Sequence, residues 1–325
     1  MTESELIERY FRRGGSDRPD VVLGIGDDAA LLQVPPDHEL VLTTDALVEG
    51  RHFLPGASPR SLGHRALAVN LSDIAAMGAT PAWALLSLNL PASEDTWLQA
   101  FSQAFGALAR EHRVALVGGN LTRGPLSITV QLAGLVPNGS ALRRDGARPG
   151  DLLYVSGTPG DAALGLMLPQ TDATTATTVG GGAADASWLL GRQEYPTARV
   201  ALGQALRGVA SACIDVSDGL YTDAGRLLQA SGCGATIDIA LLPSSPALRR
   251  VAGEDGWRTV LAGGEDYELC FAVPRAQVAR LEAAAAATSQ PVSCIGELTA
   301  GEGITLRSAD SVIVFSPAGF DHFRD

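Results

Sequence analysis

From Ala66 to Ser93 the chain runs 28 residues with one charged side chain, Asp73, set in ALAVNLSDIAAMGA. So apolar a stretch has to sit in a core, and a carboxylate carried inside costs several kcal/mol unless it is paired or bound to a cation. On a helix Asn70 and Asp73 share a face at i, i+3, while Leu67, Leu71 and Ile74 point another way. Two readings stand. Either Asp73 belongs to a solvated polar stripe on an amphipathic helix, or it holds a cation.

The surrounding pattern frames that segment. Residues 59–77 are predicted helical, with Ser58 as cap, Pro59 at the first helical position and Gly78 just past the end. A second helix is predicted over 94–112, capped by Ser93. Residues 38–43, 82–90, 114–118 and 126–136 read as strands. The turn-rich RDGARPGD (144–151) precedes the strand-like LLYVSG and marks a boundary between domains over 1–148 and 149–325. The second half continues with a helix near 160–168, a strand at 212–216, helices at 219–231 and 275–287, and strands near 267–273 and 311–315. Residues 170–187, low in complexity, read as a loop. A length of 325 residues suits two such domains.

Charge narrows the function. With 36 acidic and 24 basic residues the net charge is −12, a poor match to nucleic acid or an anionic membrane. Every basic residue apart from histidine is arginine, which excludes the P-loop lysine, the strand lysine of protein kinases and any Schiff-base lysine. No apolar run reaches the roughly 20 residues of a membrane span. The polar opening MTESELIERYFRRGG is unlike a signal peptide, so a cytoplasmic location is expected. Cys213, Cys233, Cys270 and Cys294 form no C-x-x-C pair and read as reduced core residues.

Acidic residues recur at segment ends. Asp27 and Asp28 follow Gly24-Ile25-Gly26; the string GIGDDA matches a dinucleotide fingerprint only formally. Two carboxylates would stand where pyrophosphate should rest, and Pro35-Pro36 cut off the helix that must follow. Thr43-Thr44-Asp45 ends a predicted strand, as does Asp215, with Ser217-Asp218-Gly219 behind it. Singly, each aspartate reads as a cap or turn residue. Together they form a set of hard oxygen donors suited to Mg²⁺, which keeps part of its water shell and bridges phosphates. Zinc is disfavoured, because no His/Cys set has ligand spacing.

Glycines accompany them. GGNLTRG (118–124) follows an apolar strand and GGED (263–266) precedes another. Both allow main-chain N–H groups close to phosphate, although ordinary turns use glycine too. Arg123, Arg143, Arg144 and Arg148 are the candidates for fixed positive charge.

In order along the chain, GIGDDAALL, TTDALVEGRHF, ALAVNLSDIAAMGATPAW, GGNLTRGPLSITV, GARPGD, SGTPGDAALG, DVSDGL, GGEDYELCF and GFDHF resemble the thiamine-monophosphate kinase family, within the aminoimidazole ribonucleotide synthetase-like superfamily. These motifs span residues 24 to 323. The resemblance implies an α+β, two-domain fold, a homodimer joined through strands of the first domain, and ATP bound near the domain and subunit junction. It implies that Asp28, Thr43, Thr44, Asp45, Asp73 and Asp215 hold a cluster of Mg²⁺ ions and that Asp218 holds a further one. Gly119, Asn120, Arg144 and Ser217 would touch ATP; His52, Glu265 and Phe320 would face thiamine monophosphate. The family usually has Asp where this chain has Asn120, so one metal position loses a charged ligand.

The implied reaction moves the γ-phosphoryl group of ATP onto the phosphate of thiamine monophosphate, the last step of thiamine diphosphate biosynthesis. That acceptor oxygen is already largely ionised at pH 7, its second pKa being about 6, so no general base is required. The alternatives are another ATP-dependent synthetase of the superfamily and a non-catalytic nucleotide-binding relative. Selenophosphate synthetase usually carries a reactive Cys or selenocysteine near its N-terminus, and this chain has no Cys before Cys213.

Overall fold

The computed structural model describes residues 1–12, 14–168, 182–309 and 311–316. The chain divides into two compact units, the first comprising Met1–Ile74 and Ala79–Ala141, the second Ala75–Gly78 and Leu142–Asp325.

The first unit opens with α1 (Glu3–Tyr10), whose start is closed by Thr2 and Glu5. Thr2 Oγ1 accepts from the Glu5 N–H, and Glu5 Oε2 accepts from the Thr2 N–H at 2.7 Å. The short strands β1 (Val21–Leu23) and β2 (Leu31–Leu32) pair antiparallel. There follow β3 (His38–Val48), α2 (Pro59–Ala76), β4 (Thr80–Leu90), α3 (Asp95–Glu111), β5 (Ala115–Arg123) and β6 (Ser127–Pro137). They build a four-stranded sheet in the order β3-β6-β4-β5. β6 is antiparallel to both neighbours, while β4 and β5 are parallel because α3 carries the chain across between them. Helices α2 and α3 touch at Gly63, where a Cβ would stand 2.2 Å from the Phe101 carbonyl oxygen.

The sheet presents two faces, and strand alternation sorts the residues between them. Thr43 and Asp45 lie on one face with Leu132, Val130 and Leu86. Leu42, Thr44, Ala133, Gln131, Leu85, Ser87 and Asn120 lie on the other.

The second unit contains β7 (Leu152–Ser156), α4 (Asp161–Met167), α5 (Ala183–Glu194), α6 (Val200–Ala205), β8 (Ala212–Val216), α7 (Leu220–Ser231) and β9 (Gly234–Asp238). It continues with α8 (Pro246–Ala252), α9 (Gly256–Ala262), β10 (Glu268–Val273), α10 (Val278–Thr288), β11 (Val292–Thr299), β12 (Gly303–Ser308) and β13 (Ser311–Ile313). The seven strands run in the order β13-β12-β9-β11-β7-β10-β8, and within the sheet only β9 and β12 pair parallel. Leu153, Val155, Ile214, Val216, Leu227, Ile237, Leu261 and Ile295 belong to one buried core.

Several expectations are corrected. β3 does not stop at residue 43 but continues to Val48, so Thr43, Thr44 and Asp45 sit inside a strand. Their polarity imitates a strand end, yet all eleven residues of β3 pair with β6. Helix α3 is preceded by Glu94 in extended conformation, with no side-chain cap from Ser93. Residues 183–187, read as loop, begin α5, and most of the 170–187 segment lies outside the described residues. Helix α2 has no solvated stripe: from Ala66 to Ala76 every residue is buried except Asp73, which is partly exposed. The terminal GFDHF, with Phe320, also lies outside the described residues.

Candidate active site

In the first unit β3 and α2 bring two of the expected residues into contact. Thr43 Oγ1 donates to Asp73 Oδ2, which orients the Thr43 and Asp45 face of β3 toward α2. Asn70, one turn before Asp73, is fully buried; its amide N–H donates to the Ala66 carbonyl at 3.0 Å, and its Oδ1 has no hydrogen-bond partner among the described residues. Thr44 is turned away. It lies on the opposite face, and its hydroxyl donates to the Val130 carbonyl at 3.2 Å. Beyond the end of β3 the chain folds back. His52 Nδ1 accepts the Val48 N–H at 3.1 Å, and the His52 carbonyl accepts from Arg65.

Asp28 and Asn120 belong with the other face. Both line a groove of about 890 Å³ that also involves Leu40, Leu42, Leu85 and Gly119. Gly119 has φ +147°, and a Cβ there would stand 1.8 Å from the Leu86 carbonyl oxygen. A side chain is therefore excluded at a point where exposed backbone meets the groove. Asp27 Oδ1 accepts the Asp28 N–H at 2.8 Å and shapes the loop.

In the second unit three loops are stitched together by main-chain groups. After β8, where Asp215 is 6% exposed, the chain turns through Ser217, Asp218 and Gly219 into α7. The Ser217 carbonyl accepts the Glu265 N–H at 2.8 Å, and the Val216 carbonyl accepts the Tyr267 N–H at 2.9 Å. Gly264 leaves no room for a side chain, since a Cβ would stand 2.5 Å from the Ser217 carbonyl oxygen. Glu265 and Tyr267 both adopt positive φ, at 69° and 53°. Between them Asp266 points inward to the loop before α4, accepting the Gly160 N–H at 2.7 Å and the Ala162 N–H at 3.3 Å. Burial pushes the Asp266 carboxyl well above the usual carboxylate range, against the pull of those two N–H groups. Arg144 is exposed on a segment tied to β8 by a bond from the Cys213 N–H to the Arg143 carbonyl, at 2.8 Å.

Beneath these loops lies an ion cluster that local sequence pattern gives no sign of. Glu268, fully buried, accepts a fork from Arg199 at 2.5 and 2.6 Å, a bond from Arg192 at 2.8 Å and one from Ser156 at 2.6 Å. Burial alone would raise its pKa, but Arg199 foremost, with Arg192 and Ser156, outweighs it and holds the carboxyl below its ordinary value. A Cβ at Gly157 would lie 2.0 Å from Glu268 Oε1, so the loop before α4 rests on this cluster.

Two family models cover most of the chain: AIR synthase related protein, N-terminal domain, over residues 26–136, and its C-terminal domain over 148–308. The thiamine-monophosphate kinase of Escherichia coli (strain K12) is 49% identical over 323 residues, which is 99% of this chain and 98% of that protein. This chain belongs to the thiamine-monophosphate kinase family. The crystal structure of thiamine-monophosphate kinase from Stenotrophomonas maltophilia K279a superposes with a TM-score of 0.86 at 45% identity, covering 94% of this chain and 96% of that one. AaThiL complexed with AMPPCP and TMP superposes with a TM-score of 0.77 at 33% identity, covering 92% of each chain.

Within this family frame, the donor set can be tested for a divalent cation. The oxygens of Thr43, Asp45 and Asp73 in the first unit, and of Asp215 and Asp218 in the second, are hard ligands. Among the described residues no three His, Cys, Asp or Glu side chains form a ready cage. A cation at the Thr43, Asp45 and Asp73 oxygens of the first unit would complete its shell with water and phosphate oxygens, and by donor chemistry that oxygen-only set fits Mg²⁺.

Proposed function

We propose that this chain is a thiamine-phosphate kinase: it transfers the γ-phosphoryl group of ATP directly to the phosphate of thiamine monophosphate. The observation that carries the reading is full-length identity of 49% to a thiamine-monophosphate kinase, joined to a relative of the same fold that binds AMPPCP and TMP together.

The residues divide the work by chemistry. Asp28, Thr43, Thr44, Asp45, Asp73, Asn120, Asp215 and Asp218 supply oxygens for several Mg²⁺ ions, Thr44 through its main chain because its hydroxyl faces the other side of the strand from Thr43 and Asp45. When bound, such ions neutralise phosphate charge and align two polyanions that otherwise repel. Gly119 brings bare backbone to ATP, with Asn120, Arg144 and Ser217. His52, Glu265 and Phe320 contact thiamine monophosphate. No side chain serves as general base, since the acceptor phosphate is ionised at neutral pH. Positioning is the main contribution, and the stitching of Ser217, Glu265 and Asp266 provides the rigidity for it.

The reading includes a homodimer joined through the first unit. Its support is one sheet face carrying Leu42 at 70% exposure beside Leu40 and Leu85, more apolar surface than a lone strand needs to leave in water. Among the described residues no helix is long and apolar enough to cross a membrane. A cytoplasmic setting accords with four free cysteines.

The test is a coupled assay of ATP consumption with thiamine monophosphate against other phosphorylated acceptors. Turnover confined to thiamine monophosphate, and giving thiamine diphosphate, is the expected result. Equal or faster turnover with an unrelated phosphate ester overturns the assignment.

A further inference from the structure

The loop after β8 is held by α7, and one residue of that helix reaches into the ligand set. Asp223, in the first turn of α7 and 1% exposed, accepts the N–H groups of Ser217 and Asp218 with Oδ2, each at 2.9 Å. Its Oδ1 accepts from Nη1 of Arg226 at 2.6 Å, and the same nitrogen reaches Oδ2 of Asp218 at 2.6 Å. One guanidinium nitrogen therefore bridges two carboxylates of unequal standing. Asp223 is sealed in and fastened to the loop. Asp218 is partly exposed and available to solvent.

We propose that Arg226 is a resident counter-ion of Asp218, competing with a divalent cation for the same carboxylate and so setting how tightly that ion binds. The inference rests on the reading of Asp218 as a metal ligand. A guanidinium keeps its charge at any working pH, so Arg226 gives up Asp218 by moving and never by losing a proton. Asp223 makes that movement inexpensive, because it retains Arg226 when Asp218 turns to the ion. The arginine is half-exposed, and ion pairs of that kind are weak, so the competition amounts to a few-fold in affinity.

Mn²⁺ binding to the whole protein without nucleotide, followed by the electron paramagnetic resonance signal of the free ion, tests the proposal apart from turnover. Asp218→Asn is expected to lose one bound Mn²⁺ equivalent. Arg226→Gln is expected to tighten that equivalent two- to fivefold, while Arg226→Lys, which keeps the charge, stays within twofold of wild type. Arg226→Met is a second neutral variant, and whichever neutral variant keeps the wild-type circular dichroism spectrum decides. Unchanged or weaker Mn²⁺ binding in the neutral variant, or equal tightening in Arg226→Lys, overturns the role of Arg226 and leaves the ligand reading of Asp218 intact. Full Mn²⁺ stoichiometry in Asp218→Asn overturns both.

Discussion

The hydroxyl of Thr43 on β3 donates to the carboxylate of Asp73 on α2, joining a strand and a helix through two residues 30 positions apart. Through this bond the one acidic residue of an otherwise uncharged 28-residue stretch is aimed at the face of β3 that carries Asp45. Asp73→Asn is expected to lower turnover at least a hundredfold with circular dichroism and melting temperature close to wild type. Activity within threefold of wild type at saturating Mg²⁺ would remove Asp73 from the ligand set.

The two threonines of β3 should separate cleanly. Thr43→Val deletes the hydroxyl that orients Asp73 and should lower kcat about tenfold or more. Thr44→Val deletes a hydroxyl that faces the other way and donates to the Val130 carbonyl, so kcat should change less than threefold. Steady-state kinetics at saturating ATP and Mg²⁺ decide, and equal losses in both variants would contradict the facing of β3.

Asn120 stands on the groove face beside Gly119. If it contributes a neutral oxygen to a metal, Asn120→Asp adds charge and should lower the Mg²⁺ concentration for half-maximal rate about three- to tenfold. An unchanged Mg²⁺ titration means that Asn120 is not a ligand.

Glu268→Gln should destabilise the second unit by about 3–5 kcal/mol at neutral pH, since it strips a buried pair of guanidinium groups of their counter-charge. The sign of the pH dependence follows from its lowered pKa. Above the ordinary glutamate value of 4.5 folded and unfolded chains are both ionised, and the contribution is complete. Below it the unfolded chain takes up a proton first, so the wild type loses stability as pH falls toward the folded pKa. Urea unfolding should therefore show a gap between wild type and variant that is widest near pH 7 and narrows below about pH 4.5. A gap that stays constant with pH would rule out a charge origin.

Leu42 is 70% exposed on the edge strand β3. Leu42→Glu should shift the protein from dimer to monomer in sedimentation equilibrium. A variant that sediments as the wild type does would move the dimer interface elsewhere.

Much of this architecture is legible in local pattern. Pro59 and Gly78 bracket α2, and ACIDV is recognisable as β8 because its residues are apolar, β-branched or small on either side of one aspartate. The loops holding Ser217–Asp218 and Gly263–Gly264 are recognisable as glycine-bearing strand neighbours, and the structure lays one against the other. The capping pair Thr2 and Glu5 also announces α1, and the alternation in HELVLTTDALV separates Thr43 from Thr44. What could not be read is the meeting of Arg192, Arg199 and Glu268. Arg192 lies on α5, Arg199 just before α6 and Glu268 on β10, 76 and 69 residues further on, so the pairing follows from tertiary packing rather than from any neighbouring residues.

The bend at Glu265 and Tyr267 has a bearing on how the second unit comes together. Two side-chain-bearing residues in left-handed backbone within three positions are each disfavoured by about 1–3 kcal/mol in an isolated chain. The bonds that overcome this preference come from Ser217 and Val216 at the end of β8, and from the loop before α4, so they exist only once β8 and β10 have registered. The segment therefore takes its native form only after that strand pairing has formed. In a refolding chain the pairing of β8 with β10 is expected to precede the native loop, so pulse-labelled hydrogen exchange should find the Glu265 and Tyr267 amides protected later than those of Leu269 and Phe271.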